Sequence, residues 1–180
     1  YKAMLEQDIP AHVNDDQGYF DTVEIHQAMA LLKLLDNGHQ DVPLIGILRS
    51  EIFGFSPEEL AKVRIAYKEN GQRGAYHKAF EYCLNNPEAL ADEDLYEKLR
   101  QAEEKLEEWR YLSNKMPLDE YIWYVLTESG YYLYAGAMYG GRQRQANLRI
   151  LAEKARGYQE NGVASLNGFI RYVDILRKQN

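Results

Sequence analysis

Along most of this chain apolar residues recur at spacings of three and four, the period of helices that bury one face. The first clear run is Val23, Ile25, Met29, Leu31, Leu32, Leu34 and Leu35. It is apolar on most sides and predicts a buried helix to about Leu35. Asp21, with Glu24 three residues on, has capping-box spacing for its start. A short apolar helix is predicted over 42–50, then a tight connection over 51–55 that contains Gly54. Ser56, Pro57 and Glu59 supply an N-cap, a first-turn proline and a capping-box acid for a helix to about Lys68. Two short helices joined through a glycine form a helix–turn–helix or helix–hairpin–helix unit.

Residues 70–74 are a polar break, and 75–84 predict a helix ended by Asn85, Asn86 and Pro87. An acidic stretch then predicts a long helix over 93–112. Its Leu95, Leu99, Ala102, Leu106 and Trp109 form one narrow seam, as in a helical hairpin. Pro117 separates this from a helix over 118–128, with Gly130 as its C-cap. An aromatic helix over 131–139 is broken by Gly140 and Gly141. Two further stripes predict helices over 143–158 and from Leu166 onward. Residues 1–7 read as a helix end, 9–13 as a short strand and 14–18 as a turn. The expectation is an all-α fold with a short strand and turn segment at its N-terminus. The chain opens with Tyr1 inside an apparent element, so it reads as a piece of a longer protein.

With 180 residues, 46% of them hydrophobic, there is material for one core or one domain plus part of another. The net charge of −7 argues against a dedicated nucleic-acid binder. Its distribution changes that picture. Residues 140–180 hold eight Lys/Arg and three Asp/Glu, whereas 1–139 hold thirteen and twenty-five. A basic quarter on an acidic body predicts one positive face if those residues cluster. Cys83 is the only cysteine, which excludes an internal disulfide and fits a reducing cytoplasm. No apolar run is long enough to span a membrane, and no secretory leader is apparent.

No G-x-x-x-x-G-K-[ST] motif occurs, so this chain cannot cradle ATP phosphates in that way. His12, His26, His39 and His77 lack metal-ligand spacing with Cys83 or each other, and Cys83 fits a core position. Asp15, Asp16, Asp21 and Glu24 read either as a two-metal carboxylate cluster or as a turn before a capped helix. Tyr131, Tyr132, Tyr134 and Tyr139 read as a stacking platform for single strands or as inter-helix packing. No catalytic or metal-ligating set emerges. Two features carry chemistry. In the unit over 42–68, a helix start offers free N–H groups to a phosphate, with Arg49 and Ser50 just before the turn. The same unit reads as packing alone if Glu58 and Glu59 neutralise that end. In the segment 141–149, a loop-to-helix junction could aim two of Arg142, Arg144 and Arg149 at a phosphate backbone. Asn147 there opens a helix or is buried against a neighbouring loop.

These places resemble a known family. The segment Asp15 to Ile25, DDQGYFDTVEI, is similar to the glycine–aromatic turn and capped helix of UvrD-like superfamily 1 helicases. DNGHQDVPLIGILRSEIFGFSPEEL (Asp36 to Leu60) and LDEYIWYVLTESGYYLYAGAMYGGRQRQANLRIL (Leu118 to Leu151) resemble the AddA-type subunit of the AddAB/RexAB-type ATP-dependent helicase–nuclease. So does the final helix with Asn167 to Tyr172. Glu51 and Gly38 stand where that family usually has proline. The resemblance implies that 1–40 are the edge of the second motor domain, 2A, and that 41–180 are the helical insertion 2B. It implies contact with double-stranded DNA near a fork or end through Arg49, Ser50, Gly54 and Ser56; Arg142, Arg144 and Asn147 of the 141–149 segment are the second candidate set, on the reading of that junction. It implies a parent enzyme that uses ATP and a divalent metal such as Mg to process DNA ends for recombination, paired with an AddB-type subunit. This piece lacks the Walker and nuclease motifs and is expected to be non-catalytic.

Overall fold

Helix α1 (Val23–Asp36) is the axis of the molecule: Ile25, Ala28, Leu31, Leu32 and Leu34 have no solvent exposure. Its nearly all-round apolar surface needs partners on several sides. Helices α2 (Asp41–Arg49), α5 (Glu93–Leu112), α8 (Gly141–Glu160) and α9 (Leu166–Gln179) provide them. This computed structural model describes residues 18–160, 162 and 165–179, and among them every regular element is helical. The predicted helix end, strand and most of the turn before residue 18, with His12, Asp15 and Asp16, lie outside the described residues.

Two groups of helices flank α1. On one side, α3 (Pro57–Glu69) packs on α4 (Tyr76–Asn85), and α4 packs in turn on α2 and α5. On the other, α6 (Leu118–Glu128) and α7 (Tyr131–Ala137) both pack on α8. The predicted seam of α5 is realised, with all five of its residues buried. Each such leucine contributes about 1.5–3 kcal/mol of burial free energy. The solvent face of α5 carries the Arg100 pairs with Glu97 and Glu104 and the Lys105–Glu108 pair.

Several boundaries differ from the pattern-based expectation; α7, for one, ends at Ala137 and not at Tyr139. Asp21 and Glu24 do not form a capping box. Thr22 is the N-cap of α1, without a side-chain cap bond, and its hydroxyl donates to the Tyr19 carbonyl. Asp21 pairs with Arg177 instead. Glu24 turns into the core, where polar and charged partners on α8 hold it more strongly than a local N–H would. Helix α8 begins at Gly141, two residues early, after Gly140 makes the turn at φ +72°. A Cβ at 141 would collide with the Gly136 carbonyl, so the α7 and α8 backbones are in contact there. Gly38 has a neighbouring reason: the Arg110 guanidinium lies 2.9 Å from where its Cβ would stand.

Candidate nucleic-acid interface

The predicted capping box at α3 is present. Ser56 Oγ accepts from the Glu59 N–H at 3.1 Å, and Glu59 accepts from the Ser56 N–H at 2.6 Å. Lys98 of α5 then donates to both Glu59 oxygens and to the Gly54 carbonyl, and lies 4.5 Å from the Phe55 ring centre. The Lys98 hydrogen bond, followed by the Ser56 N–H, holds the Glu59 carboxyl below its ordinary range. At the start of α3 the Ser56 and Glu59 N–H groups are thus engaged by the capping box, with Lys98 of α5 laid across it.

The connection before it is equally fixed. Gly54 has φ +64°, and its N–H donates to the Ser50 carbonyl at 2.7 Å. Phe55 is buried, and its N–H returns to Leu48 at 2.8 Å. Ser50 folds back on α2, donating to the Ile47 carbonyl and accepting from the Ile52 N–H. Ser50, Gly54 and Ser56 thus hold the turn. Arg49 stands exposed at the end of α2 and, among the described residues, has no ion pair. Beside it a shallow depression of about 500 Å³ is lined by Gln27, Val42, Ile45, Gly46 and Ser50. Glu51 is also exposed on this turn.

The second segment is oriented differently. Asn147 is buried and donates to Glu24 Oε1 at 2.6 Å, and Arg144 donates to Glu24 Oε2 at 2.6 Å. Gln143 donates to the Asn147 side-chain oxygen, and Tyr131 donates to the Glu24 carbonyl at 3.1 Å. Burial alone would push the Glu24 carboxyl up. The Asn147 hydrogen bond, its own N–H, Thr22 and the Arg144 charge outweigh this and set it below its ordinary value. Asn147 does not open a helix; it sits in the second turn of α8, with its side chain on α1 and its carbonyl accepting from the Tyr19 hydroxyl of the preceding turn at 2.8 Å. Arg142 is exposed, and Arg149 lies over the Tyr132 ring. Elsewhere in the basic quarter, Arg156 pairs with Asp119 and Arg177 with Asp21. Three of the eight cations of that quarter, Arg144, Arg156 and Arg177, are thus matched to acids of the body.

The structure brings Arg49, Ser50, Gly54 and Ser56 into one turn, and Arg144 and Asn147 onto one buried carboxylate. Glu24, the partner that decides the second group, was legible only as a capping acid or as a member of a carboxylate cluster. Among the described residues no group of three or more His, Cys, Asp or Glu is arranged to hold a metal ion, and no helix is long and apolar enough to cross a membrane. Tyr131 is buried, and Tyr132 packs edge-on to Trp123, so these two tyrosines pack between helices.

Residues 1–179 match the UvrD-like helicase C-terminal domain. The chain belongs to that family. Among relatives of this UvrD-like domain, a protein of Clostridium novyi (strain NT) is 42% identical over 97% of the chain. Proteins of Clostridioides difficile (strain 630) and Bacillus velezensis are 37% and 38% identical over 98% of it. Each of the three is the A-type subunit of an ATP-dependent helicase/nuclease. The UvrD-like chain spans about 14% of the length of these relatives.

Proposed function

We propose that this chain is a non-catalytic, DNA-contacting accessory region of an ATP-dependent helicase–nuclease that processes double-strand ends. The observation that carries the reading is Arg49: an exposed cation, without an ion pair among the described residues, at the tip of a turn that Ser50, Gly54, Ser56 and Lys98 make rigid. Arg142 is the second contact group, whereas Arg144 and Asn147 leave the contact set and hold the frame. Residues 1–40 belong to the edge of the 2A motor domain and 41–180 to the 2B insertion. ATP and a divalent metal are held by other parts of the whole protein, which works in the cytoplasm with an AddB-type partner.

Duplex binding by the chain is expected to be weak, sequence-independent and steeply salt-dependent, because phosphate contacts release counterions. Arg49→Ala should weaken it several-fold at low salt and lower the salt slope by about 1. Unchanged affinity and slope would overturn the reading. The chain alone should show no ATPase or nuclease turnover.

A second reading is a scaffold that docks on the AddB-type partner or the motor domains. Leu133 and Tyr139, 70% and 98% exposed at the α7 end, favour it. Cross-linking of the heterodimer separates the two: links from α7 to a partner surface, together with an inert Arg49→Ala, would select the scaffold.

A further inference from the structure

Residues 62–78 carry five cations, Lys62, Arg64, Lys68, Arg73 and Lys78, against the single acid Glu69. That is the reverse of the balance over the whole chain. Lys62 pairs with Asp92. Among the described residues, Lys68, Arg73 and Lys78 are exposed and hold no ion pair.

The loop that presents them is ordered by named contacts. Tyr67 is buried, and its hydroxyl donates to the Arg73 carbonyl at 2.9 Å. Arg64 lies over the Tyr67 ring and donates to the Ala75 carbonyl. The Lys78 stem runs beside Gly74, 3.2 Å from where its Cβ would be. Arg64 and Lys68, one turn apart, share a face of α3. Tyr67 therefore carries Arg64 over its ring and holds the backbone of Arg73, the Lys78 stem lies beside the neighbouring Gly74, and Lys68 follows Arg64 on the same helix. Of the acids nearby, Asp41 accepts the Tyr76 and His77 N–H groups and Glu81 meets His39, whereas Glu69 is exposed beside Lys68.

We propose that this α3–α4 loop, through Arg64, Lys68, Arg73 and Lys78, grips the phosphate backbone of double-stranded nucleic acid at a second surface, apart from the Arg49 turn. The inference rests on the reading of the chain as a nucleic-acid-contacting region. A backbone contact is favoured because the loop bears no exposed aromatic ring: Tyr67 is buried and Tyr82 packs on it, which leaves no platform for unstacked bases. Cations without base-reading groups bind by charge alone, so recognition is independent of sequence.

The test is fluorescence anisotropy of a labelled duplex titrated with the 180-residue chain at low and moderate salt. The triple variant Lys68→Ala/Arg73→Ala/Lys78→Ala should bind at least about tenfold more weakly at low salt, with a salt slope lower by about 2 to 3. Its melting temperature should stay unchanged, since all three side chains are exposed. If Arg49→Ala abolishes binding and the triple variant binds normally, this inference fails and the Arg49 reading stands. The opposite result leaves this surface standing and removes the Arg49 contact. A chain that binds no duplex at low salt overturns both.

Discussion

The turn at 49–56 and the segment at 142–149 look alike in sequence: each sets arginine near a helix terminus, beside glycine and small polar residues. In the folded chain they face opposite ways. Arg49 projects into solvent from a turn closed by Ser56, Glu59 and Lys98. Arg144 and Asn147 point inward and share the two oxygens of Glu24, which is only 3% exposed. The difference lies in what the opposing helix offers. An arginine facing a buried carboxylate becomes part of the frame, whereas one without a partner keeps its charge for something outside the molecule.

The largest effects should come from breaking the inward-facing segment. Glu24→Ala leaves Asn147 and the part-buried Arg144 without their acceptor, and should cost about 3 kcal/mol in urea unfolding. A loss below about 1 kcal/mol would mean that water or another acceptor replaces the carboxylate. The same residue carries a pH signature. Its pKa is set below the ordinary 4.5, so its stabilisation is complete above that value and is lost as pH falls through the lower folded value. Glu24→Gln should flatten the acid limb of stability, in part only, because Asp41 and Glu59 are depressed in the same direction.

Gly141→Ala comes next. The added methyl would meet the Gly136 backbone carbonyl, which cannot move aside as a side chain could, and should cost about 2 kcal/mol or more. Gly140→Ala is a useful companion: open space surrounds that position, and the penalty there comes from φ +72° alone, about 1 kcal/mol.

What the sequence made legible was local. The α5 seam and the Ser56–Glu59 box depend on residues three and four apart, and both are present as read. What stayed hidden depends on contacts between distant residues. Glu24 lies 120 positions from Arg144 and 123 from Asn147, and nothing near Glu24 announces them. Its spacing from Asp21 fits a capping box, yet a buried ion pair outweighs one N–H bond at a helix start. Counting charges in the basic C-terminal quarter likewise does not reveal that Asp21, Glu24 and Asp119 lie opposite Arg177, Arg144 and Arg156. The cations at 68–78 were masked differently: a short polar loop reads as a break between helices, and only the fold shows that Lys68, Arg73 and Lys78 hold no ion pair among the described residues.

Within the outward-facing turn, Ser56→Ala removes one half of the capping box and should cost about 1 kcal/mol. Because Lys98 still bridges Glu59 and Gly54, the turn should keep its shape. Duplex affinity should then change little while stability falls. A large loss of binding would show that α3 itself, rather than Arg49, meets the phosphate.

The smallest stability effect and the sharpest contrast belong to one pair of variants. Arg49 is exposed and without an ion pair among the described residues, so Arg49→Ala should stay within about 0.5 kcal/mol of the parent in unfolding. Arg144→Ala strands a buried carboxylate and should lose several times that amount. In duplex binding the order should reverse at equal fractions folded: Arg49→Ala weakens binding and lowers the salt slope, and Arg144→Ala changes neither. Two arginines with similar surroundings in sequence would then be separated by one measurement of stability and one of salt dependence. If Arg144→Ala lowered the slope as much as Arg49→Ala, its guanidinium would have to leave Glu24 to reach a phosphate, and the division between frame and contact would collapse.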